Sequence, residues 1–534
     1  MDGMGSDKAV TPVFSRTLAD LLRELAKTWP DSPAAFCEDR VVSFARLCRD
    51  AEAIAVGLAH NGVRRGDAVG LLCSNRIEWL EIAFGAMMAG AVLVPISTWS
   101  TPRELDFIAQ DAGIGTIFAL DQFVDRDFRA DLRALQANGV RVFLIADSDD
   151  EFETCACMRR DGDTLRLPPG EGPSAGDDAL LLYTSGSTSV PKGVRLKHFG
   201  IIENGFNIGE RQGLRPGDRV FLSAPLFWAY GGCNALPATF THGGALILLD
   251  RFDPATALRV IERDKATGIY LMPAMTAALL RHPDFDLKRT ASLRTGLTIG
   301  SSEEFVLAVE KLGVPELCNV YGSTETYGNC AVTWHDWPLE RRATSQGPML
   351  PGQELRIRDP ETGSVLPSTE NGLMEVRGYI TTGYSGASSG INPTTFTDDG
   401  FYRTGDIGKL NEHGAVVFAG RSTEMIKRAG INVSPAEIET VLIRFGGVSE
   451  AAVVGVPDQR RGEAIVAFVV PGAAATITVD ALLVHLRAEL SKYKVPDRIE
   501  LCSELPLTTT GKLHRARIKE SAAALMAAEL EVAG

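Results

Sequence analysis

The sequence lacks any apolar run long enough to cross a membrane. Its longest, around residues 83–96, falls short of the roughly 20 residues a spanning helix needs and is rich in glycine. The first ten residues are polar and lack the apolar core of a secretory signal. Positive charge is not in excess. The 54 Lys and Arg stand against 68 Asp and Glu, and the net charge of −14 argues against a nucleic-acid or membrane-surface partner. Close cysteine pairs are almost absent: of nine cysteines only Cys155 and Cys157 are neighbours, and C-x-C spacing fits no common zinc or redox motif. Reduced thiols in a cytoplasmic protein are expected. No repeat of 20–50 residues is visible, which excludes a solenoid or propeller.

What remains is an ordinary globular chain. With 45% hydrophobic and 23% charged residues it can bury a core without disulfides or structural metal. At roughly 150 residues per domain, 534 residues predict two to four domains. Helical patterns over 17–28, 44–61 and 77–89 alternate with apolar strands over 68–73 and 91–96, which is the signature of α/β architecture. Thr101-Pro102-Arg103-Glu104 and Ser434-Pro435-Ala436-Glu437 read as capping boxes that open helices. From Gln353 to Phe418, short β-type runs are separated by Gly, Pro and Asp turns, so a small β-rich subdomain is expected. A further α+β pattern follows, with strands over 451–456 and 464–470 and helices from 435 and over 479–490. The boundary is placed between residues 1–422 and 423–534.

One segment stands out chemically: Tyr183-Thr184-Ser185-Gly186-Ser187-Thr188-Ser189-Val190-Pro191-Lys192-Gly193. Apolar runs flank it, predicting a strand–loop–strand unit. Its hydroxyls, glycines and lysine supply many donors for an anion, the composition of a phosphate cradle. It does not fit the Walker A pattern.

This segment resembles the signature loop of the adenylate-forming superfamily, which includes the acyl-CoA synthetases. Further segments match that family in order. They are Tyr321-Gly322-Ser323-Thr324-Glu325, Tyr402-Arg403-Thr404-Gly405-Asp406, Gly420-Arg421 with the stretch 426–439, and Pro506-Leu507-Thr508-Thr509-Thr510-Gly511-Lys512. The resemblance implies a large N-terminal domain of packed sheets and helices with a β-rich subdomain, followed by a small mobile C-terminal α+β domain. It implies that a carboxylic acid attacks the α-phosphate of ATP with Mg²⁺, and that the thiol of CoA then displaces AMP. A separate acyl carrier protein is the alternative acceptor, and homodimers occur among relatives.

The site residues that the resemblance implies are these. Thr184, Ser185, Gly186, Ser187, Thr188 and Lys192 would hold the β- and γ-phosphates, Thr324 the α-phosphate, and Glu325 the Mg²⁺. Tyr321, with Gly322 and Ser323 beside it, would pack on adenine, and Gly300, Ser301 and Ser302 would form another wall. Asp406 would accept from both ribose hydroxyls, and Arg421 would help hold ribose or phosphates. Lys512 would bridge the substrate carboxylate and the α-phosphate. Gly430 would line the pantetheine tunnel, with Lys427 and Arg428 meeting CoA phosphates. Trp228, Tyr230, Gly231, Gly232, Thr298 and Tyr327 would wall the acyl pocket. Three departures from the family pattern are visible: Ser189 in the loop where glycine is usual, Thr423 at the expected hinge, and Trp228 where many relatives carry His. Ala229 stands where amino-acid-activating relatives carry Asp, so an α-amino acid is not expected. A medium-chain or aryl acid is.

Overall fold

The computed structural model describes residues 16–164, 172–184, 191–422, 424–428, 431–458, 462–472, 476–490, 492–507 and 513–533. Ser185, Gly186, Ser187, Thr188, Ser189, Thr423, Gly430 and Lys512 lie outside them. The chain divides into two compact units. The first comprises Met1–Leu355, Glu375–Arg403 and His413–Val416; the second comprises Arg356–Met374, Thr404–Glu412 and Val417–Gly534.

The first unit is built on two eight-stranded sheets. In one, the strands Arg219–Leu222, Ala245–Leu248, Gly268–Leu271, Thr295–Thr298 and Glu316–Tyr321 run parallel. In the other, Ala68–Leu72, Val92–Ile96, Ile114–Ala119 and Arg141–Leu144 run parallel, and Asp178–Thr184 pairs antiparallel with Lys192–Lys197. Successive side chains on a strand point to opposite faces. Leu246 and Leu248 accordingly join the central core while Ala245 and Ile247 join a second core on the outer face. The central core also takes Leu71, Leu93 and Leu182 from the other sheet, together with Phe44, Phe84 and Phe240 from helices. Helices therefore lie between the sheets as well as outside them. The helix Ile77–Met88 shows the consequence. It is buried along nearly its whole length, because it packs on the helix Phe44–His60 and touches strands of both sheets, and its sequence is apolar apart from Glu78 and Glu81, the second of which is buried against Arg159.

Local signals place the element ends. Thr101 caps the helix Pro102–Asp111 as the sequence predicts: its hydroxyl accepts from Glu104 N, and the Glu104 carboxylate accepts from Thr101 N at 2.7 Å. The second expected box does not form. Ser434 makes no cap bond to the helix Pro435–Arg444; its hydroxyl donates to Ala419 O at 2.7 Å, and Glu437 pairs with Lys494. Two partners distant in sequence outcompete the local pair.

A five-stranded sheet runs in the order Val365–Leu366, Glu354–Arg358, Gly372–Arg377, Tyr402–Leu410, Val416–Arg421, which is the expected β-rich stretch. Within the second unit, the long hairpin Val448–Asp458 and Gly462–Pro471 carries Ile426–Arg428 on one edge strand and Arg498–Leu501 alongside. Both faces are covered. Ala451 and Val453 pack with the helices Pro435–Arg444 and Val479–Glu489, while Ala452, Val454 and Val456 pack on Ile518 and Ala522 of the helix Arg515–Ala533. No described helix is long and apolar enough to cross a membrane.

Candidate active-site residues

In an open parallel sheet, ligand chemistry gathers beyond the carboxyl ends of the strands, where loops are free to specialise. Three sequence-predicted groups stand there in the first unit. Tyr321 closes the strand Glu316–Tyr321 and is 7% exposed. Gly300, Ser301 and Ser302 follow Thr295–Thr298. Thr324 and Glu325 lie in the 3₁₀ turn Thr324–Thr326, which begins after Gly322 and Ser323. That turn is locked locally. The Thr326 hydroxyl donates to Ser323 O and accepts from Ser323 N, both at 3.0 Å.

The Glu325 carboxylate is 9% exposed, and its Oε1 accepts from the Tyr384 hydroxyl at 2.7 Å. Its carbonyl accepts from Thr381 N, also at 2.7 Å. A residue nearly sixty positions downstream thus fixes it, and nothing in the local sequence announces that contact. Burial and the facing carboxylate push the Tyr384 phenol well above its ordinary range, so it stays protonated and donates. Thr184 and Lys192 are register partners where the two antiparallel strands open into the loop. The Lys192 ammonium sits 5.5 Å from the centre of the Tyr384 ring. Lys192 and Glu325 are therefore tied together through one unanticipated tyrosine, with Thr184 opposite Lys192 in the strand register.

The other predicted walls differ in kind. Ser301 caps the helix Ser302–Glu310: Glu304 N donates to its hydroxyl, and the Glu304 carboxylate accepts from Ser301 N at 2.7 Å. Tyr327 is 1% exposed, its hydroxyl accepts from Lys197 N at 3.1 Å, and Asn204 donates to its carbonyl. The structure places it in the packing against the helix His198–Gln212 rather than on an open face. Thr298 is also buried, with its hydroxyl donating to Ile299 O.

Trp228 is half-buried and meets Trp99 edge-on at 5.4 Å. Trp99 is 40% exposed, and sequence reasoning missed it. The loop before Trp228 is clamped by the buried Asn75, which accepts from Leu226 N at 2.7 Å and donates to Ala224 O at 3.0 Å. A π-helix, Ala229–Ala235, follows; such turns recur at functional sites. Its tightness explains Gly231: a Cβ there would lie 2.3 Å from Pro225 O, so only glycine lets the turn fold back on the loop. The Tyr230 hydroxyl is shared between Leu297 O at 2.9 Å and Leu271 O at 3.1 Å, at the ends of two parallel strands.

In the second unit, Asp406 is 2% exposed and faces Arg421 Nε at 2.8 Å. Arg421 also donates to Thr404 O, while the Thr404 hydroxyl accepts from Asp406 N at 3.0 Å. Lys427 lies in the strand Ile426–Arg428, in register with Asn432. Arg428, expected at CoA phosphates, is committed elsewhere: both its terminal nitrogens donate to Asp497 at 2.7 Å, in a bidentate pair.

The model of the AMP-binding enzyme family matches residues 22–385, and that of its C-terminal domain matches residues 437–512. The chain belongs to this family. It is 30% identical over 543 residues to the mitochondrial medium-chain acyl-CoA ligase ACSF2 of Mus musculus, covering 95% of this chain and 88% of that protein. It is 31% identical over 511 residues to the sulfoacetate–CoA ligase of Cupriavidus necator, covering 95% and 98%. The crystal structure of ATP-bound MatB from Rhodopseudomonas palustris superposes with a TM-score of 0.84 at 29% identity, covering 95% of this chain and 99% of that one. A large α/β unit and a smaller C-terminal α+β unit agree with the fold expected from the motifs.

The residues of the first unit suit a magnesium ion that arrives with a nucleotide. Mg²⁺ keeps water and phosphate oxygens and needs only one or two protein carboxylates. Among the described residues no group of three or more His, Cys, Asp or Glu forms a metal cage. Glu325 offers a single carboxylate, steadied on one oxygen by a neutral donor.

Proposed function

We propose that this AMP-binding enzyme is an ATP-dependent acid–thiol ligase that makes acyl-CoA. A carboxylate oxygen of the acid bonds to the α-phosphorus of ATP, and the bond to the pyrophosphate oxygen breaks. The CoA thiol, giving up its proton, then bonds to the acyl carbon, and AMP leaves with the electron pair of the broken bond. A carboxylate is a weak nucleophile and the triphosphate repels it, so neutralising charge and holding the line of attack are what the protein must do.

The observation that supports this reading is that Lys192 and Glu325 both meet Tyr384, with Thr184 opposite Lys192 in the strand register. A hydroxyl, an ammonium and a carboxylate are the groups that a phosphate chain and its cation call for. Lys192 and Thr184 hold phosphate oxygens, Thr324 donates to the α-phosphate, and Lys512 steadies the attacking carboxylate. Glu325 would hold Mg²⁺, which supplies positive charge against the phosphates when bound. Tyr321 packs on adenine, and Asp406 accepts from the ribose hydroxyls. The kinship with acyl-CoA ligases supports the choice of thiol. The acid is medium-chain or aryl: Trp228 and Tyr230 offer aromatic walls, and Ala229 has no charge to hold an amino group.

Pyrophosphate release from Mg-ATP across a panel of fatty, aryl and amino acids, with and without CoA, tests this. Acid-dependent release with acyl-CoA detected by mass supports it. Release without acyl-CoA would move the acceptor to a carrier-protein pantetheine. No acid-dependent release would overturn it.

A further inference from the structure

We propose that Tyr384 is a positioning residue that aims Glu325 at the metal–nucleotide while its ring backs the Lys192 ammonium. The proposal rests on the ligase reading above. No sequence motif singled out this tyrosine.

The geometry is unusually complete. The segment from Thr381 to Ser385 holds Glu325 twice, through Thr381 N on its carbonyl and through the Tyr384 hydroxyl on Oε1, each at 2.7 Å. With Oε1 held by a neutral phenol, the carboxylate has a donor that fixes its orientation without adding positive charge. A cation in that place would have cancelled the charge that a metal needs.

Tyr384 is itself anchored on both sides. Asn392 clamps its main chain, accepting from Tyr384 N at 2.9 Å and donating to Tyr384 O at 3.0 Å. The short strand Tyr384–Ser385 pairs with Gly193 and Val194, directly after Lys192. Gly193 permits that approach, since a Cβ there would lie 2.6 Å from the Ser385 hydroxyl. Beyond Ser385, Asp111 accepts from Ala387 N and from the hydroxyl of Tyr183, the residue before Thr184, both at 2.7 Å. The same strap thus fixes the carboxylate, the lysine and the root of the phosphate loop. At 6% exposure, the Tyr384 side chain is closed to solvent competition.

The test is calorimetric and needs no turnover. Binding of α,β-methylene-ATP is measured with Mn²⁺ and with chelator, in the absence of acid. The ratio of the two affinities is the metal advantage. Removing one hydrogen bond to a charged group in Tyr384→Phe is expected to lower that advantage about tenfold. The metal-free affinity should stay within about twofold, because the ring under Lys192 remains. Tyr384→Leu should lower the metal-free affinity as well. In a Glu325→Gln background, Tyr384→Phe should have no further effect on the metal advantage, since the charge that the hydroxyl orients is gone. An unchanged metal advantage in Tyr384→Phe would overturn the proposal. So would an equal loss with and without Glu325, or a loss of metal-free affinity alone. Wild-type protein showing no metal-dependent nucleotide binding would instead overturn the ligase reading itself.

Discussion

Glu325 and Asp406 are both carboxylates sealed almost completely from water, at 9% and 2% exposure, yet their surroundings are opposite. Glu325, in the first unit, meets a neutral phenol; Asp406, in the second, meets the guanidinium of Arg421. A buried carboxylate without a cation is costly unless something supplies the charge. That contrast is what the proposed role of Glu325, receiving a cation together with the nucleotide, calls for. Asp406 is already neutralised and is suited to donors that carry no charge, such as sugar hydroxyls.

The largest expected break in this comparison is Glu325→Gln, which keeps the shape and removes the charge. Pyrophosphate release should fall on the order of 10²–10³-fold, the scale of losing one preorganised electrostatic group. A loss below about fivefold would remove Glu325 from the metal. Asp406→Asn should instead act through nucleotide affinity. The KM for ATP is expected to rise roughly ten- to a hundredfold, with kcat and the magnesium requirement changed less. If the two variants showed the same signature in steady-state kinetics, the division of roles would fail.

A third buried group, His198, gives the fold a pH dependence of its own. His198 is 1% exposed, its Nδ1 accepts from Leu18 N, and burial lowers its pKa to about 4 from 6.5. Between those values the unfolded chain binds the extra proton, so stability rises with pH there. It should be complete above about pH 6.5 and be lost progressively as pH falls toward 4. His198→Gln should flatten that slope in urea unfolding. A slope unchanged in His198→Gln would contradict the assignment.

The smallest effect concerns the second unit. Arg428→Ala breaks the bidentate pair with Asp497, whose Oδ2 also accepts from Ile465 N. A loss of about 1–3 kcal/mol, or roughly 2–8 °C in melting temperature, is expected. The KM for CoA should stay within about twofold. A large rise would return Arg428 to the CoA phosphates.

The fold class and the order of the motifs were legible because periodicity and glycine-bounded loops are local signals. The capping box at Thr101 worked for the same reason. The box at Ser434 failed because Ala419 and Lys494, remote in sequence, took its two partners. Tyr384 escaped for a like cause: its importance lies in a contact made by strand pairing, not in its neighbours along the chain. Tyr327 was read from the sequence as a pocket wall and not as a core residue, since burial depends on the helix His198–Gln212 that packs against it.

Attack of the acid on the α-phosphorus of ATP leaves an isotopic record. With a substrate acid carrying ¹⁸O in both carboxylate oxygens, and with CoA present, AMP should gain one labelled oxygen while the acyl-CoA keeps the other. Label in inorganic phosphate alongside ADP, or unlabelled AMP, would exclude attack at the α-phosphorus.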